Sequence, residues 1–256
     1  MALRLQGKTA LVTGATSNLG RAIALAYGAE GAHVVVSGRD QERGDAVVRE
    51  IREGGGRADF VAADLNGTAG ASRALAEQAT RVLGGRIDIL VNNAGIYPGS
   101  TTASTDEETF DRVYAVNVKA PFFRTAAIAP AMAEAGTGAV INLGSWIARL
   151  GIPISSLYSS TKGALETLTR AWAAEFGPRG VRVNAISPGV VRTRDPEETG
   201  VHPGDVMMQG TPAGTIGSPR DIALAAVYLG SSEASFVHGA VLDVDGGRTT
   251  VAVIAA

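Results

Sequence analysis

Short apolar runs alternate with longer helical stretches along the whole chain, and this alternation limits the folds that its 256 residues can adopt. The runs are continuously apolar, which is typical of strands that helices cover on both faces. They are Thr9–Thr13, His33–Ser37, Ala58–Ala63, Ile87–Val91, Ala139–Leu143, Val181–Ile186 and Ala240–Val244. Alternating β and α units predict an α/β fold in which helices flank a doubly wound parallel sheet.

Six helical stretches are predicted between these strands, and no linker or repeat separates them. They are Leu19–Glu30, Gln41–Glu53, Ala71–Leu83, Asp106–Glu134, Tyr158–Phe176 and Pro219–Leu229. We therefore interpret residues 1–256 as a single domain with a substrate loop at about 192–218. Parallel sheets of this kind bind ligands at the carboxyl ends of their strands.

Composition excludes several classes of function. The net charge is −2 with no basic block, so no nucleic-acid partner is expected. There is no cysteine, which excludes thiolate metal sites and fits a reducing, cytoplasmic location. The three histidines are scattered, so no metal is expected, and no apolar run approaches the ~18 residues that span a bilayer. The N-terminal segment does not resemble a signal peptide.

The first strand ends in Thr13–Gly20, a glycine-containing turn that leads into a helix. Backbone N–H groups at a helix N-terminus favour a phosphate. Gly14 allows a tight turn. Asn18 stands where a further glycine is expected, and asparagine tolerates left-handed backbone better than most residues. The predicted binding residues are Gly14, Thr16, Ser17, Asn18, Leu19 and Gly20. The alternative is a plain strand–turn–helix without a ligand.

The second strand ends in Ser37-Gly38-Arg39, where NAD enzymes place a carboxylate for the ribose hydroxyl. Arg39 can instead pair with a 2′-phosphate, with hydroxyl donors from Ser17 and Ser37. The sequence therefore favours NADP(H), while NAD(H) remains possible. The alternative is that Arg39 is a solvated residue at the start of a helix.

Two further strand ends supply candidates for the cofactor site. Asp64, followed by Leu65, can accept a hydrogen bond from the adenine amino group, or it can cap a turn. Asn92, Ala94 and Gly95 close the fourth strand and can form the wall of the site, although asparagines there are also common turn residues.

Tyr158 and Lys162 are four residues apart on a predicted helix, so they share a face. A nearby positive charge lowers the pKa of a tyrosine from its usual value near ~10, which makes the pair a candidate acid or base. Ser145 ends the fifth strand, where its hydroxyl can donate to a carbonyl oxygen. Asn117 lies in an apolar helical segment, which indicates a buried partner such as a water linked to Lys162. The alternative for Tyr158 is a surface tyrosine beside a solvated lysine.

The remaining candidates concern the nicotinamide and the substrate. Residues at the end of the sixth strand can contact a nicotinamide amide: Pro188, Gly189, Val191 and Thr193. Substrate contacts are predicted for Ser145, Tyr158, Tyr97, Trp146, Met207 and Met208. These residues favour a moderately bulky, mostly apolar ketone or secondary alcohol. Arg149, Arg192 and Arg194 leave a charged substrate open.

In this order and spacing, the Thr13–Gly20 loop, Asn92–Gly95, Asn117, Ser145 and Tyr158-x-x-x-Lys162 resemble the short-chain dehydrogenase/reductase family. Residues Pro188–Thr193 and the closing Val244-Asp-Gly-Gly247 add to the likeness, which covers nearly the whole chain. One departure is Asn18, where this family usually has glycine.

The resemblance implies a Rossmann-type sheet of seven strands and NAD(P)-linked interconversion of carbonyl and alcohol. Tyr158 would be the acid or base, Ser145 would orient the substrate oxygen, and Lys162 would lower the tyrosine pKa and bind ribose. Asn117 would hold a relay water. A homo-oligomer, tetramer or dimer, is expected. The alternatives are a 3-oxoacyl thioester reductase, a sugar or polyol dehydrogenase, and a non-catalytic dinucleotide-binding regulatory protein.

Overall fold

Seven parallel strands form one sheet at the centre of the fold. The computed structural model describes residues 3–153, 155–192 and 203–252. The strands are β1 (Thr9–Thr13), β2 (His33–Gly38), β3 (Arg57–Ala62), β4 (Ile89–Asn92), β5 (Gly138–Leu143), β6 (Val181–Pro188) and β7 (Val241–Val244). Their order is β3-β2-β1-β4-β5-β6-β7, so the strand order reverses between β1 and β4. The predicted fold class is confirmed, and ligands of such sheets bind outside the carboxyl ends of the strands at this reversal.

Helices cover both faces of the sheet. They are α1 (Asn18–Ala29), α2 (Gln41–Glu53), α3 (Ala69–Val82), α4 (Glu107–Tyr114), α5 (Ala120–Glu134), α6 (Ser156–Phe176), α7 (Pro203–Met208) and α8 (Pro219–Gly230). Side chains that accept backbone N–H groups fix three of the starts, with Asp40 before α2, Thr68 before α3 and Asp106 before α4. Within the described residues, no helix is long and apolar enough to cross a bilayer.

Two apolar layers hold the helices to the sheet. Helices α1, α2 and α8 share one layer with Val12, and α3, α5 and α6 share the other with Leu11. Both side chains are fully buried, because neighbouring residues of a strand point to opposite faces. Burial on both faces is the reason that the strands are continuously apolar in sequence.

The stretch Asp106–Glu134, predicted as one helical segment, is divided by a π-helical turn at Ala115–Lys119. In an uninterrupted α-helix, the N–H of residue 121 would donate to the carbonyl of Asn117. Residue 121 is Pro121, which has no N–H. The backbone takes the wider spacing instead, and the Ala120 N–H donates to the carbonyl of Ala115.

The segment 192–218, predicted as a substrate loop, contains the short helix α7 in its described part. The segment begins and ends beside the sheet, where Val191 pairs with Gly217 in a single parallel bridge. Residues 193–202 of this segment lie outside the described residues, and so does the C-terminal stretch 253–256.

Candidate active site

A cleft of about 630 Å³ lies at the carboxyl ends of β1 to β4 and extends to the first turns of α6. Twelve of the residues predicted to bind a dinucleotide line this cleft: Gly14, Thr16, Ser17, Asn18, Leu19, Gly20, Arg39, Asp64, Leu65, Ala94, Gly95 and Tyr158. Tyr97, predicted to contact the substrate, also lies on its wall.

Backbone conformation shapes the turn between β1 and α1. Gly14 has a φ of 63°, and a Cβ at Gly20 would lie 2.2 Å from the carbonyl oxygen of Gly14, so both positions require glycine. Asn18 has a φ of 49°, and among the described residues it is the single non-glycine residue with a positive φ. The left-handed conformation explains how asparagine replaces glycine at this position.

The N-terminus of α1 faces the cleft with its first backbone N–H groups available. Ser17 occupies the N-cap position with an extended backbone, and its side chain makes no capping hydrogen bond. The first turn of the helix also contains no acidic residue. Such a terminus fits an anionic phosphate, because unpaired N–H groups and the positive end of the helix dipole coincide there.

The cleft wall that follows β2 has two arginines, of which sequence reasoning found one. Arg39 is exposed on the wall. Arg43, which was missed, also lines the cleft, and its Nε donates to Asp40 Oδ2 at 2.7 Å. Hydrogen bonds from the backbone and then the side chain of Arg43 hold the pKa of Asp40 below its usual value. The sequence could have indicated Arg43, because it lies in the first turn of α2, four residues after Arg39.

Two predicted cofactor residues point away from the cleft. Ser37 is fully buried. Asn92 is also buried and accepts a hydrogen bond from Arg124 Nε at 2.8 Å, within the core beneath the sheet edge. Its neighbour Asn93 lines the cleft instead and donates to the Thr13 carbonyl at 2.8 Å. Asn92 is the last residue of β4 and Asn93 follows it, and consecutive residues of an extended chain place their side chains on opposite sides.

Tyr158 and Lys162 lie one turn apart at the start of α6, as their spacing predicts. The Lys162 ammonium is 5.5 Å from the centre of the Tyr158 ring and donates to the Leu143 carbonyl at 2.7 Å. The hydroxyl of Ser145, just beyond β5, lies close enough to the Tyr158 hydroxyl to lower its pKa. Tyr158 therefore lines one end of the cleft, with Ser145 and Lys162 beside it.

The pKa values in this group differ from the expectation. Burial, with a smaller contribution from Tyr97, raises the pKa of Tyr158 to about 12, although the nearby Ser145 hydroxyl acts in the opposite direction. Burial also lowers the pKa of Lys162 to about 8. The prediction that Lys162 brings the tyrosine pKa below its usual value is not met in the protein alone, because desolvation of the phenolate outweighs the other effects.

Asn117 lies in the π-helical turn and is buried. Its Oδ1 accepts from the Ile96 N–H at 2.8 Å, and its Nδ2 donates to the Ile96 carbonyl at 2.9 Å. A longer bond of 3.2 Å joins Nδ2 to the Thr161 hydroxyl. Asn117 therefore links the segment that follows β4 to helix α6.

Comparisons with known proteins identify the family of the chain. The family model described as enoyl-(acyl carrier protein) reductase matches residues 14–249. Galactitol 2-dehydrogenase (L-tagatose-forming) of Cereibacter sphaeroides is 40% identical over 250 residues, covering 96% of each chain. A crystal structure of 7α-hydroxysteroid dehydrogenase, complexed with NADH and 7-oxo glycochenodeoxycholic acid, is 37% identical with a TM-score of 0.89 and covers 96% of each chain.

A further structure, from Agrobacterium tumefaciens and with bound NADP, is 37% identical with a TM-score of 0.87, covering 98% of this chain and 99% of that one. The protein belongs to the short-chain dehydrogenase/reductase family. The predictions of the family and of an oxidoreductase acting on CH–OH groups are thereby confirmed.

The substrate side of this short-chain dehydrogenase/reductase differs more from expectation. Tyr97 is half-exposed, its ring centre is 4.7 Å from that of Tyr158, and its hydroxyl is 2.7 Å from Ser155 Oγ. Trp146 is only 7% exposed because the guanidinium of Arg248 covers its ring at 4.4 Å. Met208 is 1% exposed and packs into the body of the protein, while Met207 is partly buried. The structure therefore brings Tyr97, but not Met208, to the site.

The predicted nicotinamide contacts after β6 lie beside β7 rather than on the cleft wall. The Gly189 N–H donates to the Val244 carbonyl at 2.9 Å, and a Cβ on Gly189 would lie 2.5 Å from the Cα of Asp245. Pro188 is the last residue of β6, and Val191 packs against the first apolar layer. Thr193 lies outside the described residues.

The arginines that left a charged substrate open are paired with carboxylates where the structure describes them. Arg149 donates to Asp243 at 2.8 Å and lies 3.8 Å from Glu166. Arg192 is 3.7 Å from Asp205, in the first turn of α7. Arg194 lies outside the described residues.

Proposed function

We propose that the chain reduces a ketone to a secondary alcohol, and catalyses the reverse reaction, with a nicotinamide dinucleotide held in the cleft. The observation that carries this proposal is that Ser145 and Lys162 lie beside Tyr158, which lines one end of a cleft whose other end is the Gly14–Gly20 turn. A phenol, a hydroxyl and an ammonium can then act on a carbonyl at one place.

The residues present fit such a dinucleotide. The N-terminus of α1 presents unpaired N–H groups for the pyrophosphate. At the other end, a Cβ on Gly95 would lie 3.3 Å from Asn117 Oδ1 and 3.8 Å from Lys162 Nζ, so glycine keeps the wall open beside the lysine. When bound, the nicotinamide supplies or accepts the hydride.

The protein supplies the proton and positions the carbonyl. Ser145 donates a hydrogen bond to the carbonyl oxygen, and Tyr158 gives its proton to the oxygen as negative charge develops. With a pKa of about 12, Tyr158 is protonated at neutral pH and ready to act as the acid in reduction. Lys162, with a pKa of about 8, is mainly charged at neutral pH and stabilises the phenolate that forms.

The preferred cofactor in this proposal is NADP(H), with NAD(H) as the alternative. Arg39 is exposed on the wall, where its guanidinium can pair with a 2′-phosphate. The carboxylate next to it, Asp40, is engaged by the N–H of Arg43 at 3.0 Å and by its Nε. The relatives do not favour either cofactor, since one of the structures above contains NADH and another contains NADP.

The proposed substrate is a moderately bulky, mostly apolar ketone or secondary alcohol. The half-exposed Tyr97 ring beside Tyr158 offers an apolar surface at the reacting end. Arg149 and Arg192 already face carboxylates, which weakens the case for an anionic substrate. A 3-oxoacyl thioester and a sugar or polyol are the alternatives within the family.

The proposal is tested with purified protein, NADPH or NADH, and a panel of cyclic and aryl ketones, acyl thioesters and ketoses, followed by loss of reduced-nicotinamide absorbance. Turnover of apolar ketones with NADPH supports it. Turnover of thioesters or ketoses alone would replace the substrate class. Tight nucleotide binding without any turnover would favour the non-catalytic regulatory alternative.

We also propose a homo-oligomer, because large aromatic side chains remain exposed on neighbouring helices. Phe110 on α4 is 47% exposed and stacks on Tyr114, and Phe122 on α5 is 43% exposed beside Trp172. Exposed aromatic clusters are common at subunit interfaces. Light scattering during size-exclusion chromatography would give the mass, and a monomer would contradict this part of the proposal.

A further inference from the structure

One arginine near the C-terminus bridges helix α7 and the turn that follows β5. The guanidinium carbon of Arg248 lies 4.4 Å from the centre of the Trp146 ring, and its Nη1 donates to the carbonyl of Met207. Trp146 directly follows Ser145, and Met207 lies in the last turn of α7. The same side chain therefore touches the catalytic turn and the helix of the substrate segment.

The turn that presents Arg248 is rigidly constructed. Asp245 accepts from the N–H groups of Gly247 and Thr249, both at 2.9 Å, and from the Thr249 hydroxyl at 2.6 Å. Gly246 has a φ of 67°, and a Cβ there would lie 2.9 Å from the Cε of Met208. Helix α7 thus packs directly against this turn.

The contacts of Arg248 suit a connecting residue better than a general stabilising one. A cation at the C-terminal end of α7 interacts favourably with the last carbonyls of the helix, and its flat face covers an aromatic ring. However, Nε of Arg248 is buried without a hydrogen-bond partner in the described residues. A buried donor left unpaired costs free energy, so the side chain contributes less to stability than its contacts suggest.

We propose that Arg248 is a positioning residue that holds α7 against the Ser145–Trp146 turn and so sets the distance between the catalytic hydroxyls and the far wall of the substrate site. The inference rests on the proposed ketone reduction. Parts of a substrate remote from the carbonyl would lie towards α7, so a large ketone depends on Arg248 and a small one does not.

Arg248→Met tests the proposal, because methionine keeps an apolar stem but loses the guanidinium. The matched control is Arg179→Met, which removes an arginine lying 5.5 Å from the Phe176 ring in a 3₁₀ turn (Gly177–Arg179) after α6, away from the cleft. Hydrogen exchange is measured over residues 203–208 without ligands, together with kcat and KM for one large ketone, one small ketone and the nucleotide.

The expected result for Arg248→Met is exchange about tenfold faster in α7 and a KM about tenfold higher for the large ketone. The KM values for the small ketone and the nucleotide should stay within about twofold, as should all values for Arg179→Met. Unchanged exchange in α7 would overturn the proposal, and so would an equal rise in all three KM values, which indicates general destabilisation.

The exchange measurement separates the two proposals. If the unmodified protein reduces no ketone, the proposed function fails. Faster exchange confined to residues 203–208 in Arg248→Met would still support the hold on α7, and normal exchange would overturn it. Arg248→Lys sharpens the assignment: an ammonium cannot both cover the ring and reach the Met207 carbonyl as a guanidinium does, so we expect it to behave like Arg248→Met.

Discussion

The two ends of the cleft are built in different ways. The nucleotide wall, which we define as Thr13–Gly20, Arg39, Asp64 and Asn93–Gly95, is shaped mainly by backbone. Positive φ values at Gly14 and Asn18 and the close approach of Gly20 determine its turn. The proposed substrate wall, which we define as Tyr97, the Ser145–Trp146 turn and α7, would be shaped by side chains from distant segments. Tyr97 bonds to Ser155, and Arg248 joins Trp146 to α7.

This difference has a functional consequence. A backbone wall changes little when side chains change, which suits a ligand common to a whole family of enzymes. A wall of side chains can be altered residue by residue, so substrate range can vary on an unchanged scaffold. The relatives agree, because one is named for a polyol and another for a steroid at similar identity to this chain.

The largest effect is expected where the walls meet. Tyr158→Phe removes the proton donor but keeps the ring, so turnover should fall by about 10²–10⁴-fold, the usual contribution of a positioned acid. Nucleotide affinity should stay unchanged, because the α1 terminus and Arg39 are untouched. Steady-state rates and a nucleotide titration measure the two quantities.

Near-normal turnover of Tyr158→Phe would mean that the two walls do not share a catalytic tyrosine. Ser145→Ala is the companion variant. It removes a hydroxyl that lowers the Tyr158 pKa and that is the proposed donor to the substrate oxygen, so it should also slow turnover without weakening nucleotide binding.

The next effect separates two arginines within the nucleotide wall. Arg39→Asp should shift preference from NADPH towards NADH by about 10–100-fold in kcat/KM, since a charge-assisted hydrogen bond is lost and a like charge faces the phosphate. Arg43→Ala should have a smaller effect, because Arg43 is already held by Asp40. If the ratio of kcat/KM with NADPH to that with NADH is the same in all variants, this wall does not bind a 2′-phosphate.

The contrast between the walls also explains what the sequence could predict. Strand positions followed from continuous apolar runs, and the Gly14–Gly20 turn followed from residues whose backbone preferences are local. The division of α4 from α5 was missed, although Pro121 was visible, because tertiary packing allows a helical stretch to continue through a π turn. The alternation of side chains along a strand could have shown that Asn92 and Asn93 point to opposite sides, once the end of the strand was known.

The substrate wall was predicted less well for a physical reason. Whether Met208 lines a site or fills the core depends on Gly246, nearly forty positions later, which leaves space for its Cε. Likewise, Trp146 is covered by Arg248, a contact that has no local signature in the sequence. The raised pKa of Tyr158 was also not predicted, because burial is its main cause and the spacing of Tyr158 and Lys162 does not reveal burial.

A pH profile tests the electrostatics at the junction of the walls. The pKa of Lys162 is lowered to about 8 by burial, so the ammonium is charged below that pH and neutral above it. Tyr158, at about 12, stays protonated throughout this range. The kcat/KM for ketone reduction should therefore be level below pH 8 and fall above it, by up to about tenfold per pH unit.

Lys162→Met should slow the reaction and remove this break in the profile. If the break persists in that variant, another group titrates near pH 8 and the buried ammonium is not the group that supports Tyr158. Comparing kcat/KM for two ketones of different size guards against a change in the substrate wall, because loss of the Lys162 charge should affect both equally.

The smallest effect concerns the one residue of the nucleotide wall that departs from the family pattern. Asn18 has a φ of 49°, a conformation that glycine adopts freely, asparagine tolerates and alanine resists. Asn18→Gly should leave the nucleotide KM unchanged, whereas Asn18→Ala should lower the free energy of unfolding by about 1 kcal/mol and weaken nucleotide binding. Denaturant melts and nucleotide titrations measure both. If Asn18→Gly weakened binding while Asn18→Ala did not, the asparagine side chain itself would contact the nucleotide, and this wall would no longer be one shaped mainly by backbone.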